Sequence, residues 1–209
     1  MADGSKHMNL ELTPFAAHFA PTIASWVSDD LSMLWLAPRT PPPLTPAKVL
    51  DWHGAGKTAL LAQVLGEAGP CGYAEINQVR SRPYELWLGH IIVAPQRRGR
   101  GIGSRFVDLL LDKAFEAFGA QTVSLVVFPE NVAAVRCYQG CGFTVTRDEC
   151  HRFRRGGPMC RMLRLDIERQ DWLRRAAHRA AAGTAYKSSF TGSGSITENK
   201  PSTTPVTMD

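Results

Sequence analysis

The segment Gln96-Arg97-Arg98-Gly99-Arg100-Gly101-Ile102-Gly103 is built to hold an anion. Glycines let the backbone close around a phosphate, successive N–H groups point into the concavity, and a helix N-terminus adds partial positive charge. The arginines supply full charges. A second glycine run, Gly54-Ala55-Gly56-Lys57-Thr58, ends like a nucleotide-binding loop but has Asp51 where that loop needs its first glycine. A helix ending in Trp52 precedes it where a strand is required, so it reads as a turn. A dinucleotide fold is also a poor fit, since its glycine turn follows the first strand of a parallel unit. Cys137, Cys141, Cys150, His151 and Cys160 contain no Cys-x-x-Cys knuckle and no paired ligand spacing, so no metal site is expected.

These residues need elements to position them. Asn9 to Leu12 reads as an opening strand. Thr13-Pro14 gives a cap-plus-proline start for a helix whose buried stripe is Phe15, Phe19, Ile23 and Trp26. Asp29-Asp30 ends it, a short turn carries Leu31, Leu34 and Trp35, and Pro38 to Pro43 makes an extended connection. Thr45-Pro46 starts a second helix. Thr58 to Leu65, Gly72 to Val79 and Tyr84 to Val93 form an antiparallel meander. The glycine-arginine loop follows and opens a helix with Ile102, Phe106, Leu109, Leu110, Ala114 and Ala117 on one face, stopped by Gly119. Val123 to Phe128 is a buried strand, Asn131 caps a shorter helix to about Gln139, and Phe143 to Thr146 and Arg161 to Leu165 are the last two strands. The fold class is α/β (α+β): a mixed, mainly antiparallel sheet flanked by helices.

The second element with chemical content is Asn131-Val132-Ala133-Ala134-Val135-Arg136-Cys137-Tyr138-Gln139-Gly140-Cys141-Gly142-Phe143. With it, the chain resembles the GCN5-related N-acetyltransferase (GNAT) superfamily. The match is to its Gln/Arg-x-x-Gly-x-Gly/Ala pyrophosphate loop and its Asn-x-x-Ala-x-x-x-Tyr-x-x-x-Gly-Phe segment, in order and on the expected elements. Sequence-level detail is confined to about 91–143, and the element order covers 9–165, the expected acetyltransferase domain.

The resemblance implies acetyl-CoA as cosubstrate, with no metal. The backbone of Arg97, Arg98, Gly99, Arg100, Gly101, Ile102, Gly103 and Ser104 would hold the pyrophosphate. Ile92 and Val93 would pair with the pantetheine arm, and Asn131 would face the cofactor. A gap between the strands ending at Val93 and Phe128 would admit the arm, with the Val93 amide polarising the thioester carbonyl. Tyr138 matches the family's usual general acid, which protonates the departing thiolate. For the base, Glu85 shares strand parity with Trp87, Ile91 and Val93, which places it on the face of the active carbonyl. Glu75 and His90 are its rivals, His90 having the opposite parity to Val93 unless a bulge intervenes. Val126 stands where some bacterial protein acetyltransferases carry a glutamate base. An acyl-cysteine route through Cys137 or Cys141 competes with direct transfer, which is the superfamily's usual chemistry.

The expected activity is therefore acetyl transfer to a primary amine, with a small-molecule acceptor favoured over a protein or peptide; a non-catalytic CoA-sensing module is the second alternative. The acceptor pocket is expected from the first two helices, the loop Trp35 to Leu44 and the region Thr146 to Pro158. The chain has 209 residues, 44% hydrophobic and 21% charged, which fits one globular domain with flanking segments and excludes wholly disordered, collagen-like or coiled-coil chains. Its 24 Lys plus Arg against 19 Asp plus Glu give a net charge of +5. That excess suits an anionic ligand, but no helix-turn-helix or aromatic RNA-binding signature points to nucleic acid as a partner. No apolar run reaches the ~18 residues of a membrane span, and no secretory pattern stands at the N-terminus, so the cytoplasm is the expected compartment and the five cysteines read as free thiols. A homodimer is left open. Residues 1–8 read as an expression-tag remnant or disordered N-terminus, 166–182 as a C-terminal amphipathic helix, and 183–209 as a Ser/Thr/Gly/Pro-rich flexible tail.

Overall fold

The structure is a computed structural model that describes residues 9–190, with side chains to residue 179. The segments 1–8 and 191–209, assigned above to a remnant and to most of the tail, lie outside the described residues. The chain divides into two compact units, one ending at Trp172 and the other beginning at Leu173.

In the first unit, seven strands form one sheet in the order β1-β2-β3-β4-β5-β7-β6. They are β1 (Leu10–Pro14), β2 (Lys57–Val64), β3 (Pro70–Gln78), β4 (Glu85–Val93), β5 (Thr122–Val127), β6 (Thr144–His151) and β7 (Cys160–Glu168). All neighbours are antiparallel except β4 and β5. The helices of this unit are α1 (Ala20–Ala24), α2 (Asp30–Leu36), α3 (Pro46–Asp51), α4 (Ile102–Asp112, continued by a π-turn through Ala117) and α5 (Val132–Gly140).

Period-two alternation assigns the two sheet faces. Leu60, Ala62, Ala74 and Ile76 join one core with Phe106, Leu110 and Phe115 of the α4 segment. Leu61 and Tyr73 join the other with Ile23, Met33, Val49 and Trp52 from α1 to α3. At Gly72 an added Cβ would stand 2.9 Å from the Phe106 ring, so the absence of a side chain lets α4 lie directly on β3.

Several elements differ from the sequence expectation. Thr13-Pro14 ends β1 and caps no helix, because Thr13 and Pro14 pair with Leu61 and Leu60. Proline is tolerated there because β1 is an edge strand. The Asp29-Asp30 break is also a start: the Asp29 carboxylate accepts from Ser32 N at 2.7 Å and opens α2. The last two strands are longer than their apolar runs, since polar cross-strand pairs such as Arg161 with Asp148 extend them. Residues 166–168 complete β7 opposite β5, so the final helix α6 begins at Arg169. It continues to Phe190, into the stretch assigned to the tail, through the strongly helix-forming run Ala180-Ala181-Ala182. Among the described residues no helix is long and apolar enough to cross a membrane.

Candidate active site

β4 and β5 pair only at Glu85, Leu86 and Trp87, opposite Thr122, Val123 and Ser124. Beyond Trp87 the two strands have no ladder between them, and a cavity of about 730 Å³ opens there. Val107, Gly103, Asn131, Ala134, Cys137 and Tyr138 line it on one side. Lys57, Glu75, Asn77, Trp87, His90 and Phe153 line it on the other.

On the first side, a 3-10 turn at Pro95–Arg97 leads through Gly99 (φ +72°) and Gly101 (φ +76°) into α4. A Cβ at either glycine would meet nothing within 4 Å, so the turn leaves open space in front of the helix N-terminus. Arg98 Nε donates to Val93 O at 3.0 Å and ties this loop to the end of β4. Arg97 is instead held by Glu67 of the β2–β3 hairpin, and Arg100 is exposed. Ile102 is buried in the α4 core and can offer the site only its backbone, while Ile92 packs into the opposite core. Asn131 caps α5, its side chain accepting from Ala134 N at 3.2 Å.

Tyr138 lines the cavity one residue after Cys137. Burial, and then the neighbouring Cys137 and Cys141, push its hydroxyl pKa up. The Cys137 thiol lies 3.6 Å from Ser104 Oγ. Cys141 draws its pKa down to about 7 and Ser104 helps, against the opposing effect of burial.

The carboxylate on the other side is Glu75, and this corrects the expectation of Glu85. Tyr73 pairs with Ile92 and Glu75 with Gly89, so His90 and Ile91 together oppose Ala74 alone. This is a β-bulge, and His90 sits in it at φ +48°. The extra residue reverses the side-chain alternation. Leu86 and Leu88 belong to the α4 core before the bulge, and Ile91 and Val93 pack against that core after it. The parity argument that put Glu85 on the face of Val93 therefore fails. Glu85 stands at the closed end of the β4–β5 pair, bound by Arg82 at 2.8 Å, by Ser124 at 3.1 Å and by Arg164. Burial pushes its carboxyl up, but Arg82, Ser124 and Arg164 outweigh this and hold it below the usual range.

Glu75 is fully buried in β3. Its Oε1 accepts from the Tyr73 hydroxyl at 2.9 Å and lies 3.0 Å from His90 Nδ1, an ion-pair distance at an angle unsuited to a directed hydrogen bond. Its Oε2 is 3.4 Å from Lys57 Nζ, the lysine of the false nucleotide loop, which also donates to Trp52 O at 2.6 Å. Burial raises the Glu75 carboxyl, but His90, Lys57 and Tyr73 together leave it below its ordinary value. The His90 ring stacks on Trp52 with centroids 4.0 Å apart. Two of the three proposed bases are thus brought together at the cavity, and the third is removed from it.

The profile described as "Acetyltransferase (GNAT) family" matches residues 21–143. The chain belongs to the GNAT acetyltransferase family. Spermidine N(1)-acetyltransferase of Escherichia coli K12 is 29% identical over 136 residues, covering 65% of this chain and 70% of that protein. An uncharacterized N-acetyltransferase, YobR of Bacillus subtilis, is 35% identical over 68 residues, 32% of this chain and 27% of its own length. Among solved structures, spermidine N-acetyltransferase from Vibrio cholerae in complex with CoA and spermine superposes with a TM-score of 0.66 at 19% identity, over 78% of this chain and 98% of that one. The aminoglycoside acetyltransferase AAC(6')-Ib in complex with coenzyme A gives 0.63 at 18%, over 79% and 98%. These structural likenesses establish the shared fold. As a GNAT enzyme, the protein is an N-acetyltransferase, and the residues present fit its cosubstrate: a glycine cradle at a helix N-terminus stands beside an opened sheet.

Proposed function

We propose that this N-acetyltransferase moves acetyl from acetyl-CoA to the primary amine of a small molecule by direct attack in a ternary complex. The observation that carries this reading is that one cavity is lined both by Arg98 and Gly103 of the glycine loop and by the Glu75–His90 pair. Acetyl-CoA supplies an activated thioester when bound. The backbone from Arg97 to Ser104 holds the pyrophosphate, the unladdered edge of β4 at Ile92 and Val93 takes the pantetheine arm as an added strand, and Asn131 lies beside it. The Val93 N–H polarises the thioester carbonyl. Glu75 and His90 take the proton from the incoming ammonium, and Tyr138 gives one to the departing thiolate. Cys137 contacts Ser104 at the loop rather than the Glu75–His90 pair, which favours direct transfer over an acyl-cysteine.

A small acceptor is favoured by the ring walls of the cavity, Trp35, Trp87 and Phe153, and by relatives named for small amines. Calorimetric titration with acetyl-CoA, with ADP as control, is expected to give micromolar binding that requires the pantetheine arm. Thiol release on adding small primary amines completes the test. No binding, or binding without transfer to any amine, overturns the reading.

Gly101→Asp probes the cradle. It places a side chain on a left-handed residue and a negative charge before the helix N-terminus. Acetyl-CoA affinity is expected to fall at least ~10-fold, about 1.4 kcal/mol. An unchanged Kd means that the pyrophosphate lies elsewhere.

A further inference from the structure

The acceptor half of the cavity has the wrong charge for a polycation. Among the described residues lining the main cavity, Glu75 is the one carboxylate, and Lys57 and His90 stand 3.4 Å and 3.0 Å from it. Lys57 itself and Arg39 at the rim add positive charge. A polyamine needs a carboxylate near each of its ammonium groups, because desolvating unpaired or like charges is costly. The walls offer something else. The main cavity shares Ala37, Pro38, Thr40 and Phe153 with a second cavity of about 320 Å³ between α2 and the β6–β7 loop. Met33, Leu34 and Pro158 make that chamber largely apolar, and its two charged residues, Asp30 and Arg154, cancel. Arg154 also reaches Thr40 O at 3.4 Å, joining the loop to the wall that the chambers share.

At the inner end, Asn77 lies two residues from Glu75 on the same face of β3, and its Oδ1 is buried without a hydrogen-bond partner. A buried unpaired acceptor is costly unless a ligand donor meets it. Asn77 and Glu75 place an amide and a carboxylate along one wall, polar groups suited to a single amine.

Resting on the reading above, we infer that the acceptor is a monoamine carried on a flat, uncharged apolar body, and that polyamines are poor substrates. The amine sits at Glu75, Asn77 and His90, and the body lies against Trp35, Trp87 and Phe153 and extends toward the second chamber.

The test uses the full chain with acetyl-CoA, following thiol release with 2-phenylethylamine and with spermidine at one pH. The expected result is a kcat/KM at least ~10-fold higher for 2-phenylethylamine, a margin of the size one apolar contact surface supplies. In Trp35→Ala, the KM for 2-phenylethylamine should rise several-fold, and an unchanged KM overturns the placement of the apolar body against this wall. Equal or better turnover of spermidine overturns the inference and leaves the acetyltransferase reading standing. Turnover of neither amine, with acetyl-CoA bound by calorimetry, also overturns the inference alone. Failure to bind acetyl-CoA overturns both.

Discussion

His90→Asn is expected to lower kcat by about 100-fold, within the range of ~10²–10⁴ that a positioned acid or base contributes. Asparagine is the informative replacement because His90 occupies φ +48°, a region that Asn tolerates better than other side chains. The bulge should persist, so a fall in rate reports the imidazole and not a shifted β4. Loss of the ring stacked on Trp52 costs about 1 kcal/mol of stability, readable as a small drop in Tm. The pH profile separates chemistry from packing. An alkylammonium titrates near the lysine value of ~10.4, so without an enzymic base the rate follows the scarce free amine. The acid limb of kcat/KM in His90→Asn should therefore extend to higher pH than in the parent. Glu75 also loses a group that lowers its pKa, so its carboxyl moves up in the variant. A kcat within twofold of the parent and an unmoved acid limb exclude His90 as the base.

How far the sequence reaches can be judged from such residues. The glycine-loop side of the cavity is legible because its signals are local: glycines that need positive φ, an asparagine that caps the following helix, and a tyrosine at fixed spacing from that cap. The Glu75–His90 side depends on register. Nothing in Glu85–Val93 taken alone states that His90 and Ile91 face one residue of β3, and a slip of one residue turns every later side chain to the other face. Gly89, inside an apolar strand, is the signal that marks such a bulge. A carboxylate in the middle of the buried run Cys71 to Ile76 is the signal for Glu75, since an acid there must be paired. The partner is equally non-local. Lys57 sits in a turn that resembles a phosphate loop, and only the β2–β3 pairing shows that it reaches Glu75. Likewise, Pro14 reads as a helix start until β2 is laid beside it.

Tyr138→Phe is the second large effect. With the acetyl-CoA Kd unchanged, kcat should fall by about 100-fold, because the hydroxyl acts on the leaving group and not on ground-state binding. The sign of the pKa shift sets the form of the loss. Donation to a departing thiolate of reference pKa ~8.5 needs a neighbouring hydroxyl that is still protonated, which a raised hydroxyl pKa ensures while making it the weaker acid. Burial keeps the Tyr138 hydroxyl above its usual value, so it stays protonated through the whole assay range. The deficit should then be uniform from pH ~6 to ~10, whereas a hydroxyl at the unperturbed tyrosine value of ~10 would lose its proton near the top of that range and the deficit would shrink there. A fold change is not expected, since removing one hydroxyl costs about 1 kcal/mol and Phe keeps the edge contact with Phe143 at 6.1 Å. Equal turnover in Tyr138→Phe removes it as the acid. A deficit that shrinks toward high pH would mean a hydroxyl that ionises within the assay range, and the raised pKa of the Tyr138 hydroxyl argues against that ionisation.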